Sequence, residues 1–473
     1  PVNPPKRNKA NKRFWSIISD SAPSCILMDQ ENRDLLEKHF NDSEKINSLE
    51  KMVVKKVDLP VNAELLNYGI KQEDIAFLQY TSGSTDRPKG VMVSHQNLMN
   101  NSEVIKQSFH HDSSLVVINW LPPFHDMGLI GNLLQPLYVG GCSVIMHPNT
   151  FLRKPVIWLQ AITKYKGTTT GCPNFALDYC VDKISEEQKR DINFSSLKVM
   201  FCGSEQVRKL TLQRFSDAFQ EQGFTYQMFL PCYGLAESTL MASGIAADEI
   251  PLTISISQMK AEQESVVELT GDANESFYAV GCGISWNDNQ MIIADPETMQ
   301  QLEEDHIGEI WLKGDSVCRG YWNNPEETNE TFRAQLSHDD DENWLRTGDL
   351  GFLHEGQVFI TGRIKDMIII RGVNYFPDYI EETIESAHKD LQKDGCAVFS
   401  IERENEEKLV VMQELKRTAI RNMDQEEIFE SIREAVTREF EIPVFGIQLI
   451  SPGRLPRTTS GKIQRHLCKK YYE

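Results

Sequence analysis

Residues 78–95 read LQYTSGSTDRPKGVMVSH. Two apolar arms, LQY and VMV, flank a loop of small hydroxyl residues, two glycines and a Pro-Lys pair. The loop presents backbone N–H groups and hydroxyls at close range, the chemistry needed to hold phosphate oxygens. It lacks GxxxxGK[ST], so it is not a Walker-type phosphate loop, and taken alone it reads equally as a polar hairpin turn.

Outward from this stretch, short β-rich runs alternate with helical patterns. DIAFLQY, SLVVINW, CSVIMH, TTTG and LKVMFCG read as strands, and helices start near Gln96, Phe151, Asn174 and Val207. Such alternation predicts a large layered α/β domain with a largely parallel sheet. Upstream, PSCILMD reads as a strand of an earlier unit, and the chain opens at Pro1, as a fragment or a processed product does. Downstream, LTISIS alternates like a short strand or hairpin arm on the surface. FLHEGQVFITGR predicts a hairpin about Glu355-Gly356 within a β-rich subdomain. After GRIKD the pattern is strand (MIII), helix (PDYIEETIESA), strands (CAVFSI, KLVVMQEL), helix (QEEIFESIREAVTREF) and strand (GIQLI). That is an α+β unit of about a hundred residues, an ordinary small-domain size. The expected division is residues 1–362 and 363–473.

The chain of 473 residues is 40% hydrophobic and 25% charged, which suits a soluble multi-domain protein. No uncharged apolar run is long enough for a membrane-spanning helix. A net charge of -20 argues against bulk affinity for nucleic acid or an anionic membrane. Two basic runs depart from this balance: Lys6, Arg7, Lys9, Lys12 and Arg13, and then Arg454, Arg457, Lys462, Arg465, Lys469 and Lys470. Each reads as a solvated face or a docking face for an acidic partner. Ten cysteines without CxxC, several in apolar runs such as those of Cys202 and Cys396, indicate reduced thiols and a cytoplasmic protein. Eleven histidines include no HExxH, so zinc has no support.

Thr81-Ser82-Gly83-Ser84-Thr85 with Pro88-Lys89-Gly90 resembles the phosphate-binding signature of the adenylate-forming enzymes, the superfamily of acyl-CoA synthetases, luciferases and peptide-synthetase adenylation domains. Further motifs follow in the family's order. WLPPFHDMG resembles its acyl-site segment, with His125 and Asp126; His125 alone also reads as a core histidine. CGSEQV resembles the segment along adenine, with Gly203, Ser204 and Glu205. PCYGLAES places Tyr233 and Gly234 at the adenine and Glu237 at Mg²⁺. RTGDLG places Asp349 on the ribose hydroxyls, GRIKD adds Arg363 there and Lys365 at a hinge, and LPRTTSGKIQR supplies Lys462 as catalytic lysine.

The resemblance implies ATP and Mg²⁺ as cofactors and an acyl-adenylate as product. Within the superfamily, the segment of about 251–276 resembles an insertion carried by fatty acyl-AMP ligases. Ala236, HDMGL and NYFPDYIE are similar to that group as well. These features imply a fatty acid as substrate and the phosphopantetheine thiol of an acyl carrier protein as acceptor. A long-chain acyl-CoA synthetase is the alternative.

Overall fold

The computed structural model describes residues 2, 12–40, 50–53, 68–81, 88–272, 276–371, 373–403, 406–420, 423–458 and 461–473. The chain enters through helix α1 (Lys12–Ser21), and Cys25–Met28 (β1) then pairs in parallel with Glu50–Val53 (β2). The arms of the opening stretch, Ile75–Tyr80 (β3) and Gly90–Ser94 (β4), form an antiparallel pair with Tyr80 opposite Gly90. They stand apart from the parallel sheet, because so short a connection can only reverse the chain.

Helix α2 (His95–Ser108) begins at a reciprocal cap, in which the Ser94 and Asn97 side chains each accept from the other's backbone N–H. Beyond it lies the main sheet, built from Val116–Asn119 (β5), Cys142–Ile145 (β6), Thr169–Cys172 (β7), Val199–Cys202 (β8), Phe229–Tyr233 (β9) and Ser243–Gly244 (β10). The order is β10-β9-β8-β7-β5-β6, with β5 to β9 parallel and β10 antiparallel at one edge. Strands buried on both faces read as continuous apolar or β-branched runs, as VVIN and VMFC do. Helices α3 (Asn174–Lys183) and α4 (Lys209–Phe219) cover one face around Phe194, Phe215, Phe219 and Phe229. Strand order reverses at β5, which lies between β6 and β7, and ligands in such sheets bind beyond the carboxyl ends of the strands at that point.

LTISIS becomes Thr253–Ser257 (β11), followed by helix α5 (Gln258–Gln263) and by Ser276–Val280 (β12), which pairs with β11. It is not the surface arm that its alternation suggests. Ile254, Ile256 and Phe277 are buried in one cluster with Ile380, Ile384 and Val436 of the C-terminal segment. A one-face apolar strand needs a cover, and the cover comes from more than a hundred residues away in sequence.

The next sheet is antiparallel: Gln290–Ala294 (β13), Gly308–Lys313 (β14), Ala334–Leu336 (β15), Asp339–His354 (β16) and Gln357–Arg363 (β17), with helix α6 (Pro325–Phe332) beside it. The β16–β17 hairpin turns at Glu355 (φ 50°) and Gly356 (φ 74°), both left-handed as a two-residue hairpin turn requires. From Ile364 onward, Ile368–Ile370 (β18) pairs with Val373–Tyr375 (β19), and helices α7 (Pro377–Ala387) and α8 (Gln425–Phe440) pack on a second sheet. That sheet contains Leu391–Arg403 (β20), Glu406–Leu415 (β21) and Val444–Ile450 (β22), and the described chain closes with helix α9 (Arg465–Tyr472). Helices α7 and α8 begin and end where their sequence patterns do.

Candidate active site

Every motif of the main sheet leaves from the carboxyl end of a parallel strand: Trp120 to Asp126 after β5, Gly203 to Glu205 after β8, and Gly234 to Glu237 after β9. These loops, with Lys89, the Thr347–Asp349 segment, Arg363, Lys365 and Lys462, line one continuous cavity of about 1680 Å³. That volume exceeds the ~300–1,000 Å³ of an ordinary small-molecule site, so it has room for two substrates side by side.

The side around Tyr233 is tightly built. Antiparallel register sets Asp349 opposite Arg363. Arg363 Nε lies 2.7 Å from Asp349 Oδ1, and the Tyr233 hydroxyl donates to Asp349 Oδ2 at 2.8 Å. Burial, reinforced by Asp349, holds the Tyr233 phenol well above its ordinary pKa, so it stays a donor. Gly234 permits no side chain, because a Cβ there would stand 1.8 Å from the Leu240 carbonyl oxygen. Gly203 is similarly pressed on the Cys232 carbonyl, at 2.6 Å. Directly after Gly203, Ser204 lies in the left-handed region (φ 78°), a costly conformation for a serine, of the kind that clusters at ligand sites. Glu205 accepts from Asn174 Nδ2 at 3.2 Å, and burial raises its pKa.

Glu237 sits in a single 3₁₀ turn, Ala236–Ser238, tied down by a bond from Cys318 N–H to its carbonyl. Its Oε1 accepts from the Tyr321 hydroxyl at 2.8 Å, and burial raises its pKa. Lys89 is ion-paired with Glu327 on α6, and its Nζ stands 4.9 Å from the centre of the Tyr321 ring. Tyr321 and Glu327 went unnoticed in the sequence, although GYWNNPEET places two aromatics and two carboxylates in one short run. The first residue of the opening loop is fixed by Thr81 N–H donating to the Lys89 carbonyl at 3.0 Å. Ser82, Gly83, Ser84 and Thr85 lie outside the described residues.

Lys462 arrives from the far end of the chain. Its N–H donates to Thr458 Oγ1 at 3.0 Å, its carbonyl accepts from Thr458 N–H at 2.7 Å, and Gly461 packs close to Phe175 of α3. Burial lowers its pKa and Arg363 lowers it further, against the pull of Asp126, Asp349 and Glu205. His125 shares this neighbourhood. Burial lowers its pKa, with Asp126 opposing and Arg13 and Lys462 adding to the effect, so it is neutral at the cavity wall rather than a core histidine. Asp126 Oδ1 accepts from Met127 N–H at 2.7 Å and so starts the helical turn Met127–Leu134. Lys365 lies in the 3₁₀ turn Ile364–Asp366 directly after β17.

The C-terminal basic run is divided: Arg457, Lys462 and Arg465 turn inward, whereas Arg454 and Lys470 are exposed. Arg465 is bonded to Glu381 at 2.7 and 2.8 Å, to Asp378 at 2.9 Å and to Asp366 at 3.1 Å, and Arg457 binds the carbonyls of Gly461 and Asp394. In the N-terminal run, Lys6, Arg7 and Lys9 lie outside the described residues, whereas Arg13 donates to the Tyr80 carbonyl at 3.1 Å. Carboxylates hold Arg465 and backbone carbonyls hold Arg457 and Arg13, and no local pattern announces such capture. Across the cavity mouth, Arg208 meets Glu385 and Asp394 at 3.2 and 3.3 Å, and Gln206 donates to the Tyr379 hydroxyl at 2.7 Å.

Among the described residues no helix is long and apolar enough to cross a membrane, and no three His, Cys, Asp or Glu side chains cluster as a metal site. All ten cysteines are unpaired, Cys202 and Cys396 buried and Cys142 exposed.

Residues 3–322 match the model of the AMP-binding enzyme family, and residues 365–473 match that of the Disco-interacting protein 2-like AMP domain. The chain is 36% identical over 472 residues to the medium-chain-fatty-acid–[acyl-carrier-protein] ligase JamA of Moorena producens, covering 99% of itself and 80% of that protein. It is 33% identical to the putative fatty-acid–CoA ligase FadD21 of Mycobacterium tuberculosis, covering 100% of itself and 83% of that relative. The crystal structure of a fatty acyl-adenylate ligase from L. pneumophila, in complex with acyl adenylate and pyrophosphate, superimposes with a TM-score of 0.73. Its sequence is 40% identical, with 100% of this chain and 81% of that one covered. An α/β sheet with its loops gathered over one nucleotide-sized cavity, and relatedness along its length, agree: the chain belongs to the AMP-binding enzyme family, as an adenylate-forming ligase similar to the fatty acyl-AMP ligases.

Proposed function

We propose that the protein joins a fatty acid to AMP and then hands the acyl group to the phosphopantetheine thiol of an acyl carrier protein. In the first step a carboxylate oxygen attacks the α-phosphorus of ATP, the bond to the β-phosphate bridging oxygen breaks, and pyrophosphate leaves. In the second, the thiolate attacks the acyl carbonyl, the bond to AMP breaks, and AMP leaves. The observation that carries this reading is the meeting of Lys462 with Tyr233, Glu237, Asp349 and Arg363 around a single cavity.

Two anions must approach each other, so positioning and charge neutralisation dominate. Lys462 would bridge the carboxylate and the α-phosphate as a mobile point charge, and Lys89 would steady the outer phosphates. Tyr233 and the segment Gly203–Glu205 would hold adenine, with Asp349 and Arg363 on the ribose. His125 and Asp126 would border the acyl carboxylate.

Glu237 fits Mg²⁺. It is a half-buried carboxylate with one hydroxyl partner and a raised pKa, so a divalent cation would relieve its desolvation. One protein carboxylate plus water and phosphate oxygens suits the shell Mg²⁺ prefers. When bound, Mg²⁺ would screen the phosphates and favour the leaving group.

Residues 1–362 and 363–473 would act as two bodies turning about Lys365, closed for adenylation and rearranged for thiol transfer. The β11–α5–β12 segment supports a carrier over coenzyme A. It joins the two bodies through the Phe277 and Tyr379 rings, 3.7 Å apart, and through Gln258 Nε2 donating to the Glu439 carbonyl at 3.2 Å. Such a seam limits where the second body can settle. Ten unpaired thiols support a reducing, cytoplasmic setting.

Pyrophosphate exchange with ATP, fatty-acid dependent, tests the first step, and product analysis with coenzyme A or a pantetheinylated carrier tests the second. Lys365→Ala is expected to keep exchange and lose thiol transfer. Efficient acyl-CoA formation by the wild-type protein overturns the carrier assignment.

A further inference from the structure

We propose that the acyl branch of the cavity ends on a polar floor, His111 with Thr169, and that this floor selects medium-length acyl chains bearing a hydroxyl at the far end. The inference rests on the fatty-acid activation proposed above and adds to it a second recognition point, remote from the carboxylate.

Helix α2 ends in a Schellman turn. His110 is left-handed (φ 52°), its N–H donates to the Gln107 carbonyl at 3.4 Å, and His111 N–H donates to the Lys106 carbonyl at 2.9 Å. The turn sends His111 back against the sheet, where its Nε2 lies 3.1 Å from Thr169 Oγ1 at the start of β7. His111 is only 7% exposed, and its Nδ1 has no hydrogen-bond partner among the described residues. Both His111 and Thr169 line the cavity that contains His125 and Lys462.

The walls of this branch are apolar. Ile105 comes from α2 and Phe109 from its C-cap, Phe201 from β8, and Leu240 and Met241 from the stretch after Glu237. The Phe109 ring meets His111 edge-on at 5.2 Å and Phe201 at 5.6 Å. Gly171 makes this possible, since a Cβ there would stand 2.3 Å from the Phe201 ring. The reacting groups sit beyond the carboxyl ends of the strands, whereas Thr169 opens β7 at the opposite end. Four residues of strand separate the two levels by ~10 Å, so a chain passing over the Phe201 ring that covers Gly171 spans them.

An apolar pocket gains nothing from a lone imidazole nitrogen without a partner, which costs free energy unless something pairs with it. Burial pushes the His111 pKa down to about 4, so the ring is neutral and carries one donor and one acceptor nitrogen. Thr169 can serve Nε2 in either role. A hydroxyl is both donor and acceptor, so it pairs with Nδ1 in either tautomer. A site with such a group discriminates against a substrate that leaves it unpaired.

The test compares kcat/KM in pyrophosphate exchange for straight-chain acids from hexanoic to dodecanoic with that for their ω-hydroxy counterparts. At one chain length the ω-hydroxy acid is expected to exceed its plain partner by about five- to tenfold. His111→Leu should abolish that ratio, and His111→Asn, which keeps a polar terminus, should restore part of it. Plain acids preferred at every length by the wild type, or a ratio unchanged in His111→Leu, overturns the inference. The wild-type panel decides alone if the variants do not fold. Exchange with plain acids only would leave fatty-acid activation standing and remove this floor, whereas no exchange with any acid would remove both.

Discussion

The two sides of the cavity are built by different means. On one side, Tyr233, Asp349 and Arg363 are locked to one another by strand register and short hydrogen bonds, all within the sheets before residue 364. On the opposite side, Lys462 belongs to the C-terminal segment. It is held by contacts between segments far apart in the chain: Arg208 with Glu385 and Asp394, Gln206 with Tyr379, and the seam at Phe277. On the two-body motion proposed above, one wall is preorganised and the other is delivered. An enzyme with two successive reactions on one intermediate needs both, because a lysine fixed for the first step would obstruct the thiol in the second.

The largest effect should come from the delivered group itself. Lys462→Ala is expected to lower fatty-acid-dependent pyrophosphate exchange by about 10²–10³-fold, while nucleotide binding, followed by calorimetry, changes little. If binding falls as much as exchange, the lysine belongs to the preorganised wall and the distinction collapses.

Next is the latch. Arg208→Ala leaves the almost fully buried Glu385 without its cation, and burial already raises that carboxyl's pKa. Adenylation should fall about tenfold through weaker closure, with stopped-flow closure rates affected and the KM for ATP nearly unchanged. On the preorganised wall, Tyr321→Phe removes the hydroxyl from Glu237. A loss of about three- to tenfold, with a higher Mg²⁺ requirement, is expected from one hydrogen bond to a half-buried carboxylate.

The smallest effect concerns the seam and depends on pH. Glu262 of α5 is buried with one side-chain partner, Gln258, and burial pushes its pKa up to about 8 from 4.5. Between those values the folded protein holds a proton that the unfolded chain has released, so this group's contribution makes stability fall as pH rises, down to a floor above about 8. Glu262→Gln should flatten that slope and raise the melting temperature by about 2–4 °C above pH 8, with little change near pH 5. An equal shift at both pH values would place the carboxylate outside the seam.

Much of this was legible in the sequence where structure is local. The Glu355-Gly356 hairpin, helices α7 and α8 and strands β5 to β8 of the main sheet follow from period, capping and turn chemistry over a few residues. LTISIS shows the limit. Its alternation correctly gave a strand, but the partner for its apolar face is α7 and α8, which the local pattern does not contain. Tyr321, Glu327 and the capture of Arg457 and Arg465 were missed for the same reason: each pairing links segments far apart in the chain.

The sequence by itself determined the order of the elements and the family of motifs, since propensity, hydrophobic period and spacing act between neighbours. Only the tertiary structure decided which charges meet. It set Asp349 between Tyr233 and Arg363, Lys89 on Glu327, and Lys462 among Asp126, Asp349 and Glu205. Electrostatics and hydrogen bonding depend on distance in space and on removal from water, and both are fixed only once the segments pack.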